Sequence, residues 1–219
     1  EDVLAGSLSR DAGENVDAYA ITSTLAHPNY NITFVSANLT INKKPITVMA
    51  VTNTKIFDGN TSAVGTPTFA DGSLVGTDTA NFTEIYDTEN AGTSKTLTPS
   101  GVVNDGNGGT NYSYTFEVDT TGVITTKSIT ITPGAGQSKV YGQLDSTFAY
   151  TNIPALIDGD VFIGVLSRVE GENVGTYEYE LGSLTAGGNY SLALETETFE
   201  IVKATPVIAW EDPADIVYG

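Results

Sequence analysis

The chain repeats itself, and this repetition limits its fold more than any single motif does. The segment Glu14–Tyr19 returns as Glu172–Tyr177, and the residues around both copies match as well. An Asn-Tyr pair occurs at 29–30, 111–112 and 189–190, so that successive pairs are 82 and 78 residues apart. The sequence therefore predicts units of about 80 residues, each large enough for a modest core of its own and joined in tandem.

A second landmark marks the start of each unit, where an apolar, strand-like segment precedes a short run that ends in Gly. These runs are Lys55–Gly59, Lys139–Gly142 and Asp215–Gly219, and the preceding segments are 46–51, 129–132 and 207–210. The order of the landmarks divides the chain into the end of one unit, two whole units and the start of another. The predicted segments are 1–44, 45–127, 128–204 and 205–219.

The closing part of each unit carries the clearest strand pattern. Apolar residues alternate through Tyr190–Leu194 and again through Phe199–Ile201, with a change of parity between the two runs. The same change follows the runs at 30–34 and 112–118, and after the latter we expect a turn at 119–122. Alternation predicts two strands joined by a short turn or bulge, the second leading directly into the next unit. Because no segment of 11 or more residues has a convincing helical period, the chain is predicted to be all-β, and its short linkers favour a semi-rigid rod.

The composition excludes several classes of function. The chain has 27 acidic and 9 basic residues, a net charge of −18, no Cys and one His. Without thiols there is no disulfide, Cys nucleophile or thiolate zinc site, and one imidazole cannot form a multi-histidine centre. The negative charge argues against nucleic-acid binding and, with the short apolar runs, against membrane insertion. The absence of Cys, the acidity and the many Thr, Gly and Asn residues suit an exported bacterial protein, outside the cell or on its surface.

The landmarks resemble two repeats of bacterial surface proteins. Those similar to the YDG repeat are Lys55–Gly59, Asn90–Gly92 and Asn111-Tyr112. Those similar to the MBG repeat of the YGX type are Lys139–Gly142, Asn173–Tyr177 and Asn189-Tyr190. Residues 1–44 look like the second half of another MBG repeat, and residues 205–219 are similar to the start of a bacterial Ig-like or MBG repeat. Phe57 departs from the YDG pattern, since the ring is kept and the hydroxyl is lost, which suggests a packing role.

The resemblance implies a long, exported, adhesin-like protein in which such modules alternate as a stalk or as binding units. It implies small Ig-like β-sandwiches or β-grasp-like modules in an elongated array, and it supplies no catalytic or ligand residues.

Acidic loops offer candidate calcium sites. The loop Asn104–Gly109 has the alternating oxygen-bearing side chains and glycines of a tight cation loop, but Thr115 stands where an EF-hand has its bidentate Glu. A Gly-rich turn is therefore the favoured interpretation. Other acidic residues that could meet an ion at a junction are Asp58, Asp71, Asp158 and Asp160. Ca²⁺ is thus a possible ligand, but no metal-ligating or cofactor-binding residue is assigned.

Candidate catalytic groups have simpler interpretations. Glu195 and Glu197 could flank a glycosidic bond, but no cleft signature surrounds them and a solvated surface is favoured. His27 lies beside Pro28, and the chain has no Gly-x-Ser-x-Gly elbow for a nucleophilic Ser. We assign no catalytic residue and predict that the chain is not an enzyme.

The repeated tyrosines leave two possibilities open. Tyr30, Tyr112 and Tyr190 follow Asn at equivalent positions, and Tyr19 matches Tyr177. Exposed rings could stack on sugars, whereas buried rings would pack in the core with the hydroxyl bonded to a backbone partner, which is the favoured interpretation.

The sequence thus predicts a non-catalytic structural or adhesive repeat segment of a secreted or cell-surface bacterial adhesin, acting as a semi-rigid stalk. The expected partners are neighbouring repeats of the same chain. One alternative is a glycan- or mucin-binding module that contacts host or environmental glycans. Another is an accessory segment of a secreted polysaccharide-degrading enzyme.

Overall fold

The computed structural model describes residues 3–69, 74–157 and 159–219. These residues form strands and loops with no helix, which confirms the all-β prediction. No helix that could cross a membrane occurs in this described part of the chain. The chain divides into two compact units, Glu1–Lys55 with Asn60–Thr125 and Ile56–Gly59 with Thr126–Gly219.

The strands up to residue 125 form three small sheets. They are β1 (Leu8–Arg10), β2 (Ala18–Ser23), β3 (Asn38–Thr40), β4 (Lys44–Met49), β5 (Thr54–Ile56), β6 (Thr68–Phe69), β7 (Thr79–Tyr86), β8 (Gly92–Asn104), β9 (Tyr112–Glu117) and β10 (Asp119–Thr125). The first three strands pair in the order β1-β2-β3. The others form a three-stranded sheet, β6-β4-β9, and a four-stranded sheet, β5-β10-β8-β7.

The core of this first unit lies between the sheets β6-β4-β9 and β5-β10-β8-β7. Strand β4 pairs in parallel with β9, beginning at Lys44 opposite Tyr112. Side chains from this sheet and from β7 and β8 form one buried cluster, whose members are Ile46, Val48, Phe82, Val103 and Tyr112. Packing of two sheets through their inner faces is the arrangement of a small β-sandwich.

The second unit repeats the strand order of β4 to β10. Its strands are β11 (Lys127–Pro133), β12 (Ser138–Val140), β13 (Tyr150–Ile153), β14 (Ser167–Arg168), β15 (Gly175–Glu180), β16 (Tyr190–Leu194) and β17 (Thr198–Val202). They form the sheets β13-β11-β16 and β12-β17-β15-β14, which match the sheets β6-β4-β9 and β5-β10-β8-β7 of the first unit strand for strand. The opening strand β11 again pairs in parallel with the strand that begins at the Asn-Tyr landmark, with Lys127 opposite Tyr190.

The parity change in the sequence marks a change of sheet. Strand β9 lies in the three-stranded sheet and β10 in the four-stranded sheet, and β16 and β17 divide in the same way. When the chain crosses from one sheet to the other, the positions that face the core shift by one residue, and the apolar pattern changes parity. The turn expected at 119–122 does not form, because β10 already begins at Asp119 and only Val118 separates it from β9. The register of β10 against β8 shifts between Asp119 and Gly122, which fits the bulge alternative.

Two other predicted strands do not form. The run at 30–34 has no strand, although Tyr30 makes an isolated antiparallel bridge with His27, and the run at 207–210 is irregular. In both complete units the corresponding strands pair with each other in parallel, β4 with β9 and β11 with β16. The residues that the structure describes give neither run such a parallel partner strand.

Candidate functional site

The Asn-Tyr landmark forms a corner at the start of β9 and of β16, which we call the Asn-Tyr corner (Asn111-Tyr112 and Asn189-Tyr190). Tyr112 is 2% exposed. Its hydroxyl donates to Asp78 Oδ2 at 2.6 Å and accepts the backbone N–H of Val75 at 2.9 Å. The N–H of Asp78 donates to the carbonyl of Val75, so the Tyr112 hydroxyl binds both ends of a short turn from Val75 to Asp78.

Tyr190 repeats this arrangement in the second unit, where it is 8% exposed. Its hydroxyl donates to Asp160 Oδ2 at 2.5 Å and accepts the N–H of Ile157 at 2.8 Å. Burial, and then the hydrogen bond to the carboxylate, raises the pKa of Tyr190, and the same causes raise the pKa of Tyr112. These two rings are core residues, as favoured from the sequence, and are not placed to stack on a sugar. Tyr30, in contrast, is 56% exposed.

A second tyrosine contact lies where β2 and β15 begin. The hydroxyl of Tyr19 donates to the carbonyl of Asn15 at 2.8 Å, and that of Tyr177 donates to the carbonyl of Asn173 at 2.7 Å. A Tyr hydroxyl that binds the backbone a few residues upstream is the tyrosine corner of Ig-like sandwiches. It holds the loop before β2 or β15, which contains Asn15 or Asn173.

Four charged side chains of the second unit form a closed cluster around this loop. Lys139 Nζ lies 2.7 Å from Asp145 Oδ1 and 2.5 Å from Glu172 Oε2. Arg168 binds the same two carboxylates, at 2.9 Å each, and its guanidinium lies 4.9 Å from the centre of the Tyr177 ring. Arg10 and Glu14 form the corresponding ion pair in the first copy of the loop.

The cluster shifts the pKa of each of its members toward the charged form. Hydrogen bonds to Asp145 and Glu172 raise the pKa of Lys139. Burial alone would lower the pKa of Arg168 and raise that of Asp145, but their mutual hydrogen bonds and those to the other members raise the first and lower the second. The hydrogen bond from Lys139 is the main cause of the lowered pKa of Glu172. Each charge is neutralised by a neighbour, so the cluster serves to fix loops.

The Asn of the Asn-Tyr corner joins residues of two successive repeats within the first unit. Asn111 Oδ1 accepts the backbone N–H of Val16 at 2.9 Å, and its Nδ2 donates to Asn15 Oδ1 at 2.9 Å. Its carbonyl accepts the N–H of Lys44, the first residue of β4, at 2.9 Å. One side chain and its own backbone thus hold the end of one repeat against the opening strand and closing corner of the next.

The Gly-rich loop at 104–109 supports this junction. Asp105 Oδ1 accepts the N–H groups of Asn107 and Gly109, at 2.8 and 2.7 Å, and Oδ2 accepts the N–H of Asn111 at 3.1 Å. Partial desolvation alone would raise the pKa of Asp105, but these backbone hydrogen bonds together lower it by more, so the net shift of the pKa is downward. The carboxylate is used to close a turn, which agrees with the turn interpretation of the sequence.

Of the other acidic candidates, only Asp58 and Asp160 are among the described residues. Asp160 holds the Tyr190 hydroxyl, and Asp58 lies in an exposed loop. Asp71 and Asp158 lie outside the described residues. Among the residues that are described, no group of three or more His, Cys, Asp or Glu side chains could hold a metal ion.

The catalytic candidates have ordinary structural contacts. Glu195 accepts a hydrogen bond from the Thr132 hydroxyl at 3.0 Å. His27 Nδ1 accepts the N–H of Asn29 at 3.1 Å, and its ring lies 4.7 Å from that of Tyr30.

The fold and its recurring corners define a chain of small all-β repeat modules. The chain belongs to the MBG domain family of the YGX type, whose family model matches residues 1–40 and 129–200. The YDG domain model matches residues 42–122. Both are non-catalytic repeat domains that occur in surface proteins. Comparisons with curated proteins and with solved structures give no match.

Two features of the structure were not predicted from the sequence: the contact that Asn111 makes between repeats, and the charged cluster. Only the Tyr of each Asn-Tyr pair was considered as a candidate. The signal was the recurrence of Asn at 29, 111 and 189. For the cluster the signal was the repeated Leu-Ser-Arg at 8–10 and 166–168, which places one Arg at the end of β1 and one at the end of β14.

Proposed function

We propose that the chain is a structural segment of an extracellular bacterial surface protein, an adhesin, in which consecutive modules form a semi-rigid stalk. The segments 1–44, 45–127, 128–204 and 205–219 are the proposed modules and partial modules. Each module has a neighbouring repeat as its main partner, and no cofactor or catalytic group is required for this role.

The observation that carries the proposal is the junction at Asn111. Its side chain spans the gap to Asn15 and Val16, while β4 begins at Lys44 directly beside it. A flexible linker would leave the relative orientation of the two repeats free. Two side-chain hydrogen bonds and a short connection restrict that orientation instead. A restricted orientation is expected of a stalk, which must keep its length under load.

The experiment compares the 219-residue chain with its Asn111→Ala variant by residual dipolar couplings in solution. In the unaltered chain, we expect the amides of 3–43 and those of 44–55 and 60–125 to fit one alignment tensor. In the variant, the loss of the clasp should require two tensors. Asn31→Ala, which removes an exposed Asn without a role at the junction, should leave the single tensor intact.

Two results would contradict the stalk. One is independent alignment of the two segments in the unaltered chain, since a hinge there cannot hold a fixed reach. The other is turnover of a polysaccharide by this chain alone, which would favour the enzymatic alternative.

A further inference from the structure

An open groove lies at the end of the second unit, beside the residues that follow β17. Its lining is mainly apolar and consists of Tyr141, Asn173, Val174, Lys203, Ala204 and Pro206. Tyr141 is 51% exposed, and Asn173 and Val174 are also exposed. The repeats of the chain indicate what could bind in this groove, because the equivalent residues of other repeats are in contact with an Asn-Tyr corner.

The first correspondence concerns the loop that ends in the tyrosine corner. Asn173 and Val174 match Asn15 and Val16 in the repeat register. At the first position the loop is clasped by Asn111, which bonds both the Asn15 side chain and the Val16 amide. The Tyr177 hydroxyl donates to the Asn173 carbonyl as the Tyr19 hydroxyl donates to that of Asn15, so both loops are held by the same backbone contact.

The second correspondence concerns the aromatic ring beside the loop. Lys139 matches Lys55, which places Tyr141 at the position of Phe57. Phe57 is 4% exposed, and its ring packs edge to face on Tyr190 with centroids 5.4 Å apart. An aromatic residue at this position therefore packs on the Tyr of an Asn-Tyr corner, which is a favourable geometry for two rings.

The third correspondence concerns the connecting strand. Ala204 matches Lys44 and Lys127, whose N–H groups donate to the carbonyls of Asn111 and Asn189 at 2.9 Å each. Four residues on, Val48 and Ile131 are fully buried, whereas Ile208 at the matching position is 85% exposed. The segment from 204 thus has the sequence of an opening strand but not the packing that a corner and its strand provide.

We propose that this groove is the docking site for the Asn-Tyr corner of a further MBG- or YDG-type module that continues the chain from Ala204. The Asn side chain of that corner bonds Asn173 and the Val174 amide, its carbonyl accepts the Ala204 N–H, and its Tyr packs on Tyr141. This inference rests on the proposed stalk and extends it by specifying the residues at the next junction.

The test is amide hydrogen exchange of Val174, measured by NMR in the 219-residue chain and in an extended chain. In the extended chain, residues 205–219 are replaced by a second copy of residues 128–204, which supplies a new Asn-Tyr corner in register. We expect the Val174 amide to exchange at least about tenfold more slowly in the extended chain, because it gains an acceptor and is covered. An Asn→Ala change at the second copy of position 189 should remove the protection. Tyr141→Ala should weaken it, whereas Leu144→Ala, at an exposed residue outside the groove, should not.

The Val16 amide is the internal reference, since Asn111 already binds it. Unchanged exchange at Val174 with continued protection at Val16 would overturn the docking site alone, and loss of protection at both would also contradict the stalk. Protection at Val174 that grows with the concentration of the 219-residue chain would assign the groove to a second copy and overturn the proposal. If the second copy does not give a native spectrum, the same measurement is made with residues 45–125 after Ala204. An unprotected Val174 there would be equally decisive against it.

Discussion

Tyrosine hydroxyls organise this chain at the residue scale. In the Asn-Tyr corner the hydroxyl both donates to a carboxylate and accepts a backbone N–H, and in the tyrosine corner it donates to a carbonyl four residues upstream. Each ring adds apolar contacts, while each hydroxyl satisfies a polar group of a nearby loop. A single residue type therefore fixes loops to the sandwich at several equivalent positions.

Removal of one of these hydroxyls should be costly because it leaves a partner without a bond. Tyr112→Phe deprives the Val75 amide and the Asp78 carboxylate of their hydrogen bond, so we expect a loss of about 1–3 kcal/mol in the free energy of unfolding. Urea denaturation followed by circular dichroism measures this change. Tyr218→Phe, at a fully exposed tyrosine, is the matched control and should leave the midpoint unchanged. Equal midpoints for the two variants would show that the Tyr112 hydroxyl does not stabilise the fold.

At the second tyrosine corner, Gly171 allows the ring of Tyr177 to pack closely against the loop backbone. A Cβ on Gly171 would lie 2.3 Å from Cε1 of Tyr177, and the residue has φ of +153°. Gly171→Ala should therefore displace the ring and destabilise the second unit by about 1–3 kcal/mol, as overpacking does elsewhere. The same denaturation experiment applies, with Gly188→Ala as control, since a Cβ there meets nothing within 4 Å. A neutral Gly171→Ala would mean that the ring has room to move.

At the element scale, part of the fold could be predicted and part could not. Alternation of apolar residues predicted the strands at 112–117, 190–194 and 198–202 because each has one face in the core. The change of parity also predicted a turn or bulge between two such strands. That they belong to different sheets could not be predicted, since alternation does not say which strand will be the neighbour. The runs at 30–34 and 207–210 fail for the same reason: a strand needs a partner, and local pattern does not supply one.

The charged cluster was beyond prediction for a different reason. Lys139, Asp145, Arg168 and Glu172 are up to 33 residues apart in sequence and come from a strand, two loops and a strand end. In a chain with 27 acidic residues, no pattern indicates which carboxylates meet a cation. Only the packing of β12 beside β17, and of β14 beside β15, brings these four side chains together.

This cluster should give the second unit a defined dependence on pH. The pKa values of Asp145 and Glu172 are lowered from their ordinary values of 3.8 and 4.5. Their contribution to stability is therefore complete above those values and is lost as the pH falls below about 4, through the folded pKa. The raised pKa of Lys139 gives the opposite sign, so its contribution is complete below 10.5 and is lost only at higher pH. We expect a plateau between these limits.

The measurement is the denaturation midpoint of the chain and of Asp145→Asn between pH 3 and pH 7, taken as a difference so that the other carboxylates cancel. The difference should be largest at neutral pH and shrink as the pH falls below about 4. Asp212→Asn, at an exposed position, should give no difference at any pH. A constant difference for Asp145→Asn would mean that its charge does not contribute.

At the scale of the whole molecule, the net charge of −18 opposes compaction. Carboxylates outnumber cationic groups three to one, and some lie close together on one sheet face. Glu178 and Glu180 on β15 and Glu200 on the adjacent β17 are all exposed on the four-stranded sheet of the second unit. Like charges at neighbouring positions of adjacent strands destabilise a sheet, and surface repulsion of this kind is screened by salt.

Added salt should therefore stabilise this protein. At 0.5 M NaCl the screening length is well below the roughly 10 Å of 0.1 M salt, so carboxylate repulsion weakens while the more buried Arg168 pairs are screened less. A gain of about 1 kcal/mol would raise Tm by about 2–4 °C relative to 10 mM NaCl in a chain of this size. The triple variant Glu178→Gln, Glu180→Gln and Glu200→Gln should have a higher Tm at low salt and a smaller response to NaCl. A fall in Tm with salt, equal in both proteins, would show instead that attractive ion pairs dominate the electrostatics of the modules.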